Sequence, residues 1–347
     1  MYNRIVAEIE KSSIVCEIGL SHEGSLGFTF AFIEACSKSG ADFVKFQMHL
    51  AEFESSGKEE FRTNFSLQDL TRWDYWKRTS FKISQWKQII EHCKKNNIEP
   101  QISVFSVAAL NICLELGVNY IKLGSGDFTN PELAEAILVQ SKSNQELNLV
   151  LSSGMATWEE VEMVARRFDN LRKSNKLVIL QCTSMYPTPL NLVGLDSMIR
   201  IRDELGIRSG LSDHSEGLTA SMAAIVLGAH YIERHIVFDK RMFGPDTQSS
   251  IDFRELSLLT NFRDQMNVLS IPTDKDKVAR SLTKYRSLFG RSLALKDSLP
   301  KGHVVKETDF CLRKPGGYLG WEDRGYFLGK SLIRAYSNTE LLDRSFV

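Results

Sequence analysis

Eight short apolar runs, each followed by text with helical spacing, constrain this chain more than any other feature. They are IVCEIG (14–19), FVKFQ (43–47), IEPQIS (98–103), YIKLG (120–124), LNLVLSS (147–153), LVILQC (177–182), IRSGLS (207–212) and HYIERHI (230–236). Between them, Phe28, Ala31, Phe32 and Ala35 keep the i, i+3, i+4, i+7 spacing of a helix face, as do Val161, Val164, Ala165 and Phe168. Thr157 with Glu160 three residues on reads as a capping box, and Leu259, Phe262 and Met266 continue the helical pattern after the last run. Strand-then-helix units repeated in this way over about 250 residues predict an α/β fold of the (β/α)8 TIM-barrel type. The rival, a doubly wound open sheet, lacks its dinucleotide signature, because no GxGxxG follows the first run.

The barrel domain is drawn at 1–268, a polar linker at 269–287 and a second domain at 288–347. That second stretch reads as short strands separated by Pro300, Gly302, Pro315, Gly316 and Gly317, a small β-rich domain that needs something to pack on. The longest spacer, 48–97, is expected to hold an active-site excursion and a helix from Ser84 to Lys94. Its centre is an aromatic and basic cluster: Arg72, Trp73, Tyr75, Trp76, Lys77 and Arg78.

The 43 basic and 43 acidic side chains cancel, which argues against a general nucleic-acid or acidic-membrane binder. No uncharged run approaches the ~20 residues of a bilayer span. The N-terminus carries no basic region ahead of a long apolar stretch, so no secretory leader is expected. Cys16, Cys36, Cys93, Cys113, Cys182 and Cys311 form no CxxC pair, which fits free thiols in a reducing cytoplasm. Cys16 and Cys182 lie in apolar strand text and read as core.

In a barrel the C-terminal strand ends build the site. Here they read Glu17; Lys45 and Gln47; Lys122, Ser125 and Asp127; Ser152; Thr183, Ser184 and Tyr186; Ser212, Asp213 and His214; Glu233 and His235. Polar turns explain Ser and Asp cheaply. They explain Lys45 and Lys122 poorly, since a lysine inside apolar strand text needs a strong partner. Both lysines are expected to face an anion, with Ser125, Ser152, Ser184 and Ser212 completing a pocket for a small substrate bearing phosphate and carboxylate. One histidine alone reads as a satisfied core residue. Two at strand ends, His214 and His235, point to an open divalent-metal site, Mn²⁺ or a related ion such as Mg²⁺ or Co²⁺, acting as a Lewis acid on a carbonyl oxygen.

The segments IVCEIGLSHEGSL, ADFVKFQMH, YIKLGSGDFTNPEL, LSSGMAT, LQCTSMYPTP, GLSDHSEGL and YIERHIVFDKRMFGPDTQSSI resemble the sialic acid synthase family, in order and at family-like spacing. RSLALKDSLPKGHVV, LRKPGGYLG and LGKSLI resemble that family's antifreeze-like (SAF) domain, so the resemblance spans nearly the whole chain. It implies a cytoplasmic barrel enzyme, similar to N-acetylneuraminate synthase, that condenses phosphoenolpyruvate with an N-acylated amino sugar. N-acetylmannosamine is the usual sugar, and phosphate leaves by carbon–oxygen cleavage. It implies a divalent metal on His214 and His235, and a homodimer in which each small domain covers the partner's barrel mouth. Glu17 then corresponds to the acidic residue that positions water or moves a proton. Lys45, Lys122, Ser125, Ser152, Ser184 and Ser212 correspond to phosphoenolpyruvate-binding positions. Gln47, Asp127, Tyr186, Asp246, Arg313 and Lys314 correspond to sugar-binding ones.

The sequence departs from the family pattern in places. Ser184 stands where some members carry asparagine, and Asp127 where many carry glutamate. Lys314 stands where an arginine grips the N-acyl group, with Arg313 beside it. These departures bear on the sugar, and a diacetamido sugar leading to legionaminic or pseudaminic acid is the first alternative. A non-catalytic sugar-binding barrel would have lost the histidines or lysines, and both sets are present. A metal-dependent hydrolase lacks its HxH and extra carboxylate ligands.

Overall fold

The computed structural model describes residues 10–347. The segment read for a leader, and the first residues assigned to the barrel domain, lie outside the described residues. Each of the eight apolar runs forms a parallel strand: β1 (Ser13–Gly19), β2 (Phe43–Met48), β3 (Glu99–Val104), β4 (Tyr120–Leu123), β5 (Asn148–Ser152), β6 (Leu177–Cys182), β7 (Arg208–Asp213) and β8 (Tyr231–His235). They pair in sequence order and close into a barrel through β1 and β8, with Glu17 opposite His235 on one side and Lys45 on the other. Gly210 is required at the tightest approach of this wall, since a Cβ there would lie 2.1 Å from the Tyr231 carbonyl oxygen.

The helices follow the predicted text. Ser25 caps Leu26–Lys38, Ser106 caps Val107–Glu115, and the Thr157–Glu160 capping box starts Trp158–Arg167. The expected helix in the long spacer runs Ile83–Lys95, and the excursion before it adds short helices Ala51–Glu54 and Arg72–Thr79. Outward-facing strand residues such as Cys16, Ile18, Val44, Phe46, Ile121, Leu149 and Ile232 pack against the helices in one buried cluster. Inside the barrel, Val15, Phe43, Val150, Val178, Leu180 and Tyr231, with Tyr120 against them, form a separate apolar plug. The opposite end is left to polar side chains.

The chain divides into two compact units, the first running to Ile271 and the second spanning Pro272–Val347. The segment read as a linker carries helices Lys275–Ser281 and Thr283–Phe289. In the second unit β9 (Ser292–Leu295) pairs antiparallel with β10 (Phe310–Arg313), around a core of Leu293, Leu295, Val305, Phe310, Phe327 and Leu332. Among the described residues no helix is long and apolar enough to cross a membrane, and all six cysteines are free.

Candidate active site

The C-terminal strand ends open on a cavity of about 460 Å³. Its floor is ionic. Lys45 and Lys122 are only 5% and 1% exposed, so their ammonium groups need partners inside the protein. Lys45 Nζ lies 2.8 Å from Glu17 Oε2 and 2.8 Å from Glu233 Oε1. Lys122 Nζ lies 3.2 Å from Glu233 Oε2 and donates to the Ser152 hydroxyl. Ser212 Oγ donates to Glu233 Oε1 at 2.9 Å. Glu233 is thus the shared anchor of both lysines. Burial alone would raise its carboxyl, but Lys122 and Lys45 outweigh that and hold it well below the usual carboxylate range. For Lys45, burial dominates and pulls the ammonium down to about 8, with Glu233 opposing and Lys122 adding to the fall.

Above the floor, Ser125, Ser184 and Cys182 surround Gly154, whose backbone N–H donates to Ser125 Oγ at 3.1 Å. A Cβ on Gly154 would lie 2.5 Å from Ser184 Oγ and 2.7 Å from Ser125 Oγ, so glycine keeps this hydroxyl-lined space open.

His214 and His235 face each other with ring centroids 5.5 Å apart. His214 Nδ1–H donates to the Thr183 carbonyl at 3.1 Å, which leaves the Nε2 lone pair outward; Ser212, its 3.4 Å neighbour, already donates to Glu233. Burial, and then His235, lowers the His214 pKa to about 3, and burial also lowers that of His235. Both rings are therefore neutral near pH 7. His235 Nδ1 lies 3.9 Å from Asp246 Oδ2. Burial works to raise the Asp246 carboxyl, while His235 and Arg62 outweigh it. Two neutral imidazoles with an oxygen donor nearby fit a borderline divalent ion. Among the described residues no group of three or more His, Cys, Asp or Glu side chains is arranged to hold one, so remaining ligands would come from water or substrate.

The lining gathers Glu17, Lys45, Gln47, Lys122, Ser125, Asp127, Ser152, Ser184, Tyr186, Ser212, His214, Glu233, His235 and Asp246. Of the other strand-end residues, Asp213 turns away to Arg234 and the Thr183 hydroxyl donates to the Leu192 carbonyl. Arg313 and Lys314 are not among the lining residues. They belong to the second unit, where Arg313 donates to the Lys296 carbonyl and Lys314 lies over the Phe289 ring. Glu17 pairs with Lys45, and Lys122 with Glu233. One residue differs from expectation: Cys182, read as core, points into the pocket with its Sγ 3.7 Å from His214 Nδ1. The excursion supplies Phe61, Arg62, Phe65, Arg72, Tyr75 and Trp76 to the rim. Arg62 donates to Asp246 Oδ1 at 2.6 Å and lies 3.9 Å from the Tyr186 ring centroid, and Tyr186 stacks on His214 at 4.0 Å. Period-two alternation along β8 puts Glu233, a strand-end residue given no role from the sequence, on the same inward face as His235. No sequence period marks Arg62.

Fold and pocket together define a (β/α)8 barrel with an ion-paired, hydroxyl-rich site and a pair of imidazoles at its C-terminal mouth. The chain belongs to the NeuB family, whose model matches residues 32–270. It is 30% identical to the N,N'-diacetyllegionaminic acid synthase of Campylobacter jejuni over 339 residues, covering 96% of this chain and 99% of that protein. It is 28% identical to the human N-acetylneuraminate-9-phosphate synthase, over 92% of this chain and 88% of that one. The crystal structure of the N-acetylneuraminic acid (sialic acid) synthetase of Leptospira borgpetersenii superposes with a TM-score of 0.66 at 25% identity, covering 80% of this chain and 92% of that chain.

Proposed function

We propose that this protein is a nonulosonic (sialic) acid synthase that condenses phosphoenolpyruvate with an N-acetylmannosamine-type amino sugar. The observation that carries this is the pair of buried lysines on Glu233, set beside a hydroxyl cradle and two neutral imidazoles. Lys45 and Lys122 take the substrate's phosphate and carboxylate, with Ser125, Ser152, Ser184 and Ser212 as hydroxyl partners. A divalent metal held by His214 and His235, Mn²⁺ in the first instance, would supply Lewis-acid polarisation of the sugar's open-chain carbonyl oxygen. Carbon 3 of phosphoenolpyruvate bonds to the aldehyde carbon, and the aldehyde oxygen takes up a proton. Water adds at carbon 2, and the carbon–oxygen bond to phosphate breaks as the hydroxyl there loses its proton to become the ketone. Glu17, on the floor beside Gln47 and Lys45, is the group placed to orient that water or receive its proton. Gln47, Asp127, Tyr186 and Asp246 line the sugar end.

The second unit we read as the antifreeze-like domain, and a homodimer is the assembly expected, with Arg313 and Lys314 offered to the partner's sugar site. Sedimentation of the purified protein tests the dimer. A diacetamido sugar is the second reading. The rim sets Phe61, Phe65 and Trp76 beside Arg72, which lies over the Trp76 ring and forms no ion pair among the described residues. A further acetamido group offers its methyl to such rings and its carbonyl oxygen to such a guanidinium. A phosphate-release assay across amino sugars, with mass spectrometry of the products, tests both readings. If no N-acyl hexosamine supports phosphate release with metal present, the synthase reading fails.

A further inference from the structure

His49 belongs to none of the roles above, yet it sits at the pocket edge in an unusual enclosure. Its ring lies flat between Phe105, 4.1 Å away at 8°, and Trp76, 4.6 Å away at 11°. The side chain is almost fully covered. A phenylalanine would fill that slot equally well as packing. The imidazole differs in having both edges matched: Nδ1 lies 2.9 Å from Glu54 Oε1, and Nε2 lies 3.1 Å from Gln47 Oε1. Gln47 Nε2 in turn donates to Glu17 Oε1 at 2.8 Å, and the other oxygen of Glu17 meets Lys45.

The chemistry of this chain fixes its directions. A carboxylate paired with a lysine only accepts, so the Gln47 NH₂ must face Glu17. The Gln47 oxygen then faces His49, which requires a proton on Nε2. Glu54 on the far side requires a second proton on the Nδ1–Oε1 line. A carboxamide has no steric preference between its two ends. Without His49, nothing on that side distinguishes oxygen from nitrogen, and Gln47 is free to turn its oxygen against Glu17.

We propose that His49, clamped by Phe105 and Trp76 and tied to Glu54, is a positioning residue that fixes the Gln47 carboxamide so that Gln47 holds the Glu17 carboxylate in its working orientation. His49 acts through Gln47 and touches no reacting atom. The kinetic part of the test rests on the synthase reading; a spectroscopic part does not.

The test is a double-mutant cycle on His49→Phe and Gln47→Leu, with phosphate release measured against each substrate. His49→Phe keeps the ring stack but removes both hydrogen bonds and leaves the Glu54 carboxylate, 5% exposed, without its partner, so its thermal midpoint should fall and its kinetics are read well below that midpoint. It should lower kcat roughly tenfold or more while leaving the KM for phosphoenolpyruvate nearly unchanged. In the Gln47→Leu background the same change should have no further effect. Independent, multiplying losses overturn the proposal, as does a His49→Phe enzyme within twofold of wild-type kcat. Should His49→Phe fail to fold, Glu54→Gln replaces it in the same cycle. Separately, the ¹⁵N-edited spectrum of the wild type should show a slowly exchanging His49 Nε2–H that weakens in Gln47→Leu. Its absence, or its persistence in the variant, also overturns the proposal. If the wild type turns over no sugar, the synthase reading fails while the spectrum still decides the positioning role.

Discussion

Lys45 should set the alkaline limb of the activity profile. Its ammonium is enclosed between Glu17 and Glu233, and burial lowers its pKa from 10.5 to about 8. A fall of that size corresponds to ~3 kcal/mol of preference against the charged form. In the substrate-free enzyme about nine in ten Lys45 side chains are then charged at pH 7, and about one in ten at pH 9. Since kcat/KM reports the free enzyme, the value for phosphoenolpyruvate should be level to about pH 8 and then fall about tenfold per unit. The kcat limb should lie higher, because a bound phosphate restores favour to the charged lysine. The assay is initial-rate phosphate release between pH 6 and 10, at limiting phosphoenolpyruvate with sugar and metal saturating. Lys45→Arg keeps its charge throughout, so the limb should disappear even as the plateau drops, the planar fork being ill-suited to a lysine slot. Stability moves the other way. Between pH 8 and 10.5 the folded chain binds fewer protons at Lys45 than the unfolded one, so this group makes folding more favourable as pH rises. Unfolding at this residue therefore cannot mimic the limb. A wild-type profile level through pH 9.5, or a limb near pH 8 retained in Lys45→Arg, refutes the assignment.

Glu233→Gln strips both lysines of their shared carboxylate and should cost ~3–5 kcal/mol in denaturant unfolding; a loss under 1 kcal/mol would show that water or Glu17 takes over the pairing. Gly154→Ala pushes a methyl between Ser184 and Ser125 and should weaken phosphoenolpyruvate binding about tenfold or more by calorimetry, from one or two lost hydrogen bonds. An unchanged Kd would remove the cradle from the binding site. Chelation should abolish phosphate release and Mn²⁺ restore it, whereas His214→Ala should stay folded and unresponsive to metal. Full activity in either the chelated enzyme or the variant would count against the histidine pair as ligands.

The barrel was legible because its strands are apolar on both faces over most of their length, so each run stands out against helical text. Lys45 and Lys122 were legible for the same reason in reverse: a charge inside such a run has no cheap explanation. Glu233 was named as a strand-end residue but given no role, because Glu233, Arg234 and His235 stand together and look like a strand running out into a polar turn. Alternation separates them. Arg234 faces outward and meets Asp213, its register partner on β7, at 2.6 Å, while Glu233 and His235 face inward. Cys182 is the converse case, an apolar-looking residue that is the third inward position of β6 after Val178 and Leu180. Arg62 was not legible at all as a rim group. Its placement comes from how the excursion folds back over the mouth, which no local period encodes. His49 continues the inward step of Phe43, Lys45 and Gln47 just past β2.

The same two-residue step explains how one barrel interior is both a core and a site. Moving two residues along β1 turns Val15 into Glu17. On β2, Phe43 gives way to Lys45 and then Gln47; on β4, Tyr120 to Lys122; on β5, Val150 to Ser152; on β8, Tyr231 to Glu233 and then His235. The apolar plug and the ionic floor are thus adjacent layers of the same inward faces. The plug excludes water from beneath the lysines, which is what lowers Lys45 and makes Glu233 indispensable to both ammonium groups. On β7 the step is Gly210 to Ser212, with no side chain in the lower layer because the Tyr231 backbone lies too close for one. A slip of one residue in any strand would exchange these layers for the outward set, placing Cys16 or Ile18 where Glu17 stands and Val44 or Phe46 where Lys45 stands. The register that packs the helices against the barrel is therefore the register that assembles the site, and neither can drift without the other.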